Sequence, residues 1–217
     1  MQADATVRVV PGKAFYHPGE PASFSVTATG GARVEGTITH LAETVDTLSA
    51  ALAQGTATLT WTPPAVAPRG YGLTVRLVDK DGSPVAAAST AFDVLDTWTQ
   101  APRYGFLSQF EPGRDNIEAT MEWVARYHVN GLQFYDWQYR HENLLPPDGT
   151  YSDLLGRRMS LETVVRLIEA AHARHIAAMP YTAIYGASVA FYREHPTWAL
   201  FERADHPYEF GDNFLMI

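Results

Sequence analysis

The run Val129-Asn130-Gly131-Leu132-Gln133-Phe134-Tyr135-Asp136 opens apolar and ends in polar and aromatic side chains, which continue through Trp137-Gln138-Tyr139-Arg140-His141. A buried strand that stops abruptly at chemically capable residues fits a parallel sheet covered on both faces. In such sheets function gathers where the strands end. The reading of the second half of the chain therefore starts from residues 129–136 as a strand.

Working outward, Tyr104–Phe110 reads as an apolar strand before it, and Ile176–Ile184 as one after it. Between the first two, Asp115 is a plausible N-cap with Glu118 as its capping-box partner, and Ile117, Met121 and Val124 share a helical face. Between the second and third, Ser160 caps a helix whose expected buried stripe is Leu161, Val164, Val165, Ile168 and Ala171. Strand–helix–strand–helix–strand implies parallel pairing with right-handed crossovers. A (β/α)8 TIM barrel is the favoured architecture, and an open doubly wound sheet the alternative. The barrel is incomplete in this chain, because three strands are recognised where eight are needed. An unpaired strand edge and an uncovered core lead us to expect poor solubility or self-association of this chain expressed alone.

The first 95 residues follow different rules. Segments such as Phe24-Ser25-Val26-Thr27 and Leu73-Thr74-Val75-Arg76-Leu77 alternate apolar and polar residues, as half-buried strands do. Pro18-Gly19, Gly30-Gly31, Pro63-Pro64 and Asp81-Gly82 punctuate them, the last predicting a hairpin between 71–78 and 85–94. Residues 41–53 fit either a short helix or a loop. Six or seven short strands predict an immunoglobulin-like β-sandwich. The expected organisation is thus multidomain, β followed by α/β: residues 1–95 the sandwich, residues 96–217 the N-terminal portion of the barrel.

Composition narrows the partners. A net charge of −8 argues against nucleic acid and gives no reason to expect an anionic membrane. With no cysteine, disulfides and thiolate metal sites are excluded. No apolar run approaches the length of a membrane span, and Met1-Gln2-Ala3-Asp4 shows no leader pattern. No metal site is expected: His172 and His175 are three apart on one helix but lack an evident third ligand. Asp79-Lys80-Asp81-Gly82 resembles half of a calcium loop but reads better as a hairpin turn. No cofactor is implied.

Aromatic rings stack on the C–H faces of sugars, and carboxylates and imidazoles bind hydroxyls, so the 133–141 cluster looks like a wall of a sugar site. If each strand ends in its cluster, Ser108–Glu111, Tyr135–His141 and Tyr181–Tyr185 line one rim. Asp136 is read foremost as a sugar contact, with a structural carboxylate paired to Arg140 or an N–H group as the alternative, and a catalytic role behind both. Tyr135 should point away from Asp136 by strand alternation unless the strand bulges. Trp137 and Tyr139 fit stacking or packing equally, His141 and Tyr185 are candidate ligand contacts, and Arg140 is read as a bridge between carboxylates.

Ordered segments of the second half resemble glycoside hydrolase family 66. They are Arg103–Phe110, His128–Trp137 with Arg140-His141, Gly156–Ser160, Ala171-His172, Ala178–Tyr181, Ile184–Ala187, Pro196–Leu200 and Gly211–Leu215. The family's members are endo-dextranases and cycloisomaltooligosaccharide glucanotransferases, which cut α-1,6-glucan with retention. The resemblance therefore implies an Asp nucleophile and a Glu acid/base about 5–5.5 Å apart. Neither is expected in this chain; both are expected downstream of Ile217. The implied substrate-binding residues are Asp136 and His141, then Tyr135 and Tyr185. Gln109 stands where the resemblance leads us to expect an acid. The implied function is the N-terminal part of a dextranase-like hydrolase, secreted or cell-surface, inactive as this chain alone. The alternatives are a cyclising glucanotransferase and a noncatalytic carbohydrate-binding module.

Overall fold

The computed structural model describes residues 5–210 and 214–217. Met1–Asp4 and Gly211–Asn213, on which part of the leader and family readings fell, lie outside the described residues. The rest is mostly β-sheet with a few short α-helices. Its contacts divide it into two units. The first holds the residues up to Gly105, with Glu118–Gly131 and Ala170–Ala177; the second holds Phe106–Ile117, Leu132–Glu169 and Ala178–Ile217.

In the first unit, β1 (Thr6–Pro11), β2 (Ala22–Thr29), β3 (Arg33–His40), β4 (Glu43–Ala51), β5 (Thr56–Trp61), β6 (Arg69–Val78) and β7 (Pro84–Val94) form two antiparallel sheets. Their orders are β1-β2-β5 and β4-β3-β6-β7. The two sheets share one core. Phe24, Val26, Leu59 and Trp61 come from one sheet, and Val34, Ile38, Leu73, Val75 and Phe92 from the other. The alternation read in the sequence is what buries them: β2 carries Phe24 and Val26 inward and Ser25 and Thr27 outward. Tyr71 and Phe92 stack with centroids 5.4 Å apart and Trp61 meets Tyr71 edge-on at 4.9 Å, so an aromatic cluster fills one end of this core. The Asp81-Gly82 hairpin forms between β6 and β7, and Asp79 Oδ1 accepts the N–H groups of Asp81 and Ser83. A turn thus accounts for the acidic residues that resembled a calcium loop.

Residues 41–53, left between helix and loop, contain β4. It is an edge strand paired only to β3 within its sheet, and most of its side chains are exposed, so no apolar alternation marks it.

Beyond β7 come β8 (Tyr104–Leu107), α1 (Ile117–Arg126), β9 (Gly131–Phe134), β10 (Thr150–Ser152), β11 (Arg158–Ser160), α2 (Leu161–His172) and β12 (Ala177–Pro180). β8, β9 and β12 make one sheet in the order β12-β9-β8. The N–H groups of Asn130 and Tyr135 donate to the carbonyls of Arg103 and Leu107, and those of Ala177 and Tyr181 to Asn130 and Phe134. Partner numbers rise together, so the three strands run parallel, as the strand–helix alternation predicted. Each is shorter than its sequence reading. β9 gives way to a turn after Phe134, and β12 ends at Pro180, which has no N–H to donate.

Within the first unit, Asn130 is fully buried and satisfied. Its side-chain oxygen accepts the Arg103 N–H at 2.8 Å, and its amide donates to the carbonyls of Ala101 and Trp98. One side chain thus fixes the residues that lead into β8 against the start of β9.

In the second unit, Ser160 caps α2 as read: its Oγ accepts the Thr163 N–H at 3.3 Å. The predicted face of α2 needs correction. Thr163, Val164, Leu167, Ala170 and Ala171 are buried, whereas Val165 is 44% exposed. The stripe is rotated by about one residue because Thr163 turns inward to donate to the Glu111 carbonyl at 2.9 Å.

The chain continues through β13 (Gly186–Ser188), α3 (Val189–Glu194), β14 (Phe201–Arg203), β15 (His206–Pro207), β16 (Glu209–Phe210) and β17 (Phe214–Met216). β17 lies antiparallel between β13 and β16. Among the described residues, no helix is long and apolar enough to cross a membrane.

Candidate functional site

The second unit contains a cavity of about 180 Å³ at the ends of β9 and β12. Tyr135, Asp136, His141 and Tyr185, the four residues nominated from sequence, all line it. Gln138, Tyr139, Arg140, Leu154, Leu155, Arg157 and Phe214 complete the wall.

One backbone feature lets Tyr135 and Asp136 share the cavity. Asp136 has φ 54°, in the left-handed region that Asp enters more readily than most residues. The chain turns there instead of continuing as a strand, so the expected alternation of sides ends at Phe134. Tyr135 stacks on Tyr181 with centroids 4.7 Å apart, and Tyr181 and Tyr185 join their hydroxyls at 3.1 Å. That shared hydrogen bond is the main reason the Tyr181 phenol is pushed up to about 12. Three tyrosines thus form a continuous aromatic strip, of which two members face the cavity.

The Asp136 carboxylate is held by Arg157, not Arg140. Arg157 Nη2 lies 3.2 Å from Asp136 Oδ2, and its Nε donates to Asp153 Oδ2 at 2.7 Å. Asp153 is buried, and its Oδ1 also accepts the N–H groups of Leu155 and Arg157. One guanidinium therefore serves two carboxylates, and the hairpin β10–β11 delivers it. Arg140 instead donates to the carbonyls of Tyr139 and Ser152 and sits over the Tyr139 ring at 3.9 Å. The sequence reading of Arg140 as a carboxylate bridge is corrected: Arg157, fixed by the Asp153 loop, fills that role, leaving Arg140 to pin backbone.

His141 packs edge-on against Phe214 at 5.2 Å and near Tyr185 at 6.2 Å. Gly186 is closely approached by it, since a Cβ there would come within 2.7 Å of His141 Nδ1. Burial is the chief cause of a lowered imidazole pKa, against the pull of Glu142 and Asp136. His141 Nδ1 and Gln138 Oε1 are buried and find no hydrogen-bond partner among the described residues. Buried polar atoms without partners are costly in a folded protein, and a polyhydroxylated ligand supplies donors and acceptors to both. Beside them, Glu142 is engaged by the N–H and hydroxyl of Ser188.

One open alternative closes here and one expectation fails. Trp137 packs the loop: its Nε1 donates to the Tyr181 carbonyl at 3.0 Å, and its own carbonyl accepts the Tyr151 hydroxyl. The Ser108–Glu111 cluster does not line the cavity. Phe110 is buried against Phe134 with centroids 5.7 Å apart, and Gln109 is exposed with its carbonyl held by Arg114. Sequence reasoning passed over Arg157 and Gln138 as site residues. The signal for Arg157 was the Asp153-to-Arg157 spacing around Gly156, a tight polar loop between two short strands.

Comparison with known proteins places these features in context. The model of glycosyl hydrolase family 66 matches residues 11–216. A cycloisomaltooligosaccharide glucanotransferase of Niallia circulans is 36% identical over 95% of this chain, which spans 23% of that relative's length. A second glucanotransferase from the same organism is 29% identical, again over 95% of this chain and 23% of its own length. The crystal structure of a Paenibacillus sp. cycloisomaltooligosaccharide glucanotransferase complexed with cycloisomaltoheptaose superposes with a TM-score of 0.83 at 29% identity. That match covers 97% of this chain and 33% of the other.

Proposed function

The chain belongs to glycosyl hydrolase family 66, and on that premise we propose that it supplies part of the sugar-binding wall of an enzyme acting on α-1,6-glucan. The single observation that carries this reading is the convergence of Tyr135, Asp136, His141 and Tyr185 on one cavity. Tyrosine faces receive pyranose C–H groups, while the Asp136 carboxylate and His141 accept or donate to hydroxyls. Arg157 holds the Asp136 carboxylate in orientation for that contact.

Both curated relatives are cycloisomaltooligosaccharide glucanotransferases. This supports the cyclising glucanotransferase, the alternative in the sequence reading, over the favoured dextranase-like hydrolase. The whole protein's reaction is then transfer of a glucan chain from the enzyme to one of its own sugar hydroxyls, where a hydrolase would use water. Residues 1–95 as an immunoglobulin-like sandwich and residues 96–217 as the opening of a (β/α)8 barrel are part of the proposal. The parallel order β12-β9-β8 and the site at the strand ends support the barrel.

The test uses the full-length protein containing this chain. Incubation with dextran should yield cyclic isomaltooligosaccharides; exclusively linear products would return the reading to a hydrolase. In the same protein, Asp136→Asn should lower kcat/KM by about 1.5–3 kcal/mol for each sugar hydrogen bond lost. Azide should not rescue it, because Asp136 binds and does not form the covalent intermediate. Azide rescue would make Asp136 the nucleophile and end this assignment.

A further inference from the structure

His17, Glu20 and His175 come together in the first unit, from segments far apart in sequence. One ligand atom from each lies within 4.8 Å of the others. The sequence pairs His175 with His172 three residues away, but the fold gives it different neighbours. His175 sits in the turn between α2 and β12, against the loop that follows β1.

Each imidazole has a backbone carbonyl beside its Nδ1, and His175 Nδ1 also lies 3.7 Å from Glu20 Oε2. His175 Nδ1 faces the Phe15 carbonyl at 3.2 Å, and His17 Nδ1 faces the Leu95 carbonyl at 3.1 Å. A carbonyl can only accept, so each Nδ1 carries a proton there, and the Lys13 ammonium faces His175 Nε2 as a donor. Such a backbone acceptor behind the ring is the usual support of a metal-ligating imidazole. The Glu20 carboxylate is steadied by the His17 N–H, which donates to Oε2 at 2.8 Å. A cation already occupies the position: Lys13 Nζ pairs with Glu20 Oε1 and lies 3.0 Å from His175 Nε2. The chain's own ammonium thus bridges one oxygen of Glu20 and Nε2 of His175, two of the three side chains of the cluster.

We propose that His17, Glu20 and His175 form a binding site for a divalent transition ion of the Zn2+ class, for which the Lys13 ammonium is the built-in competitor. Two imidazole nitrogens and one carboxylate oxygen suit Zn2+ or Co2+, with a water completing the coordination. Tetrahedral ligands stand roughly 3.3 Å apart at ordinary bond lengths. Closure therefore needs an inward adjustment of the exposed His17 side chain and withdrawal of Lys13. The bound ion would clip the loop after β1 to the α2–β12 turn.

Calorimetric titration of the chain with ZnCl2, and the visible spectrum with CoCl2, test the site. Wild type should bind a single ion. Lys13→Met should bind it on the order of 10-fold tighter, because the competing cation is gone. His17→Ala and His175→Ala should each lose the binding, whereas His172→Ala, on the exposed side of the helix end, should leave it unchanged. If His175→Ala fails to fold, the exposed His17 decides the matter. The proposal is overturned if Lys13→Met binds no tighter than wild type, if His17→Ala binds as wild type does, or if neither wild type nor Lys13→Met binds.

Discussion

At the scale of single residues, His141 shows how position sets chemistry. Its imidazole is half-buried against Phe214 and Tyr185, so the neutral form is favoured and its pKa is lowered. In the unfolded chain the ordinary histidine value, about 6.5, applies. Between the lowered folded value and the unfolded one, the unfolded state binds more protons, so stability rises with pH in that window. The contribution is complete above the unfolded value and disappears as pH falls through the folded one. Denaturant midpoints measured from about pH 7.5 down to about pH 5 should therefore fall, and His141→Gln should flatten part of that fall. His128 and His175 are lowered mainly by burial too, so some slope will remain. An unchanged slope in the variant would show that His141 is not the group. That His141, Asp136, Tyr135 and Tyr185 meet at one cavity was legible in the sequence, because they stand at or just past the ends of strands in a parallel sheet. Arg157 was not, because its role depends on a hairpin that folds back from residues some twenty positions away. The left-handed turn at Asp136 was also hidden, since no glycine announces it.

At the scale of elements, local rules held where they were strong. Ser160 before an apolar-periodic run predicted a cap, and Thr163 uses it. Ser160→Ala should reduce stability by about 1 kcal/mol, seen as a lower urea midpoint with an unchanged slope. Ser160→Asp should restore most of the loss, unless burial of the site penalises the charge; recovery in Ser160→Thr separates the two causes. The buried helix face differs from the apolar stripe by about one residue because Thr163 lies inward. Its hydroxyl has a buried acceptor, which a periodicity count cannot see. β4 escaped for the opposite reason. An edge strand needs no inward stripe when the sheet beside it already covers the core.

At the scale of the whole molecule, the shared core of the two antiparallel sheets is drawn entirely from residues before Leu95. A fragment of residues 5–96 should therefore fold by itself and melt cooperatively, followed by far-UV circular dichroism and by the aromatic near-UV signal of Trp61, Tyr71 and Phe92. A broad melt without a near-UV signal would mean that this region depends on the rest of the chain. The split of the sequence into an alternating half and a strand–helix half was visible from period alone. The contacts draw a less linear division, in which Glu118–Gly131 and Ala170–Ala177 group with the first 105 residues. No pattern along the chain marks that, since it arises from contacts between distant segments.

The buried Asn130 carries a further consequence, because glycine follows it. Asn-Gly is the pair most prone to spontaneous deamidation, in which the glycine nitrogen attacks the asparagine side chain through a cyclic imide. Here the Gly131 N–H is committed to the Arg103 carbonyl, and the Asn130 amide is held by its three partners. These hydrogen bonds oppose the attack while the strands are formed and release it once they open. Conversion at this position would install a carboxylate facing the Ala101 and Trp98 carbonyls, so a chain that ages while open is hindered from closing again. Deamidation at Asn130 should therefore accumulate with past unfolding, which mass spectrometry of stored protein would read.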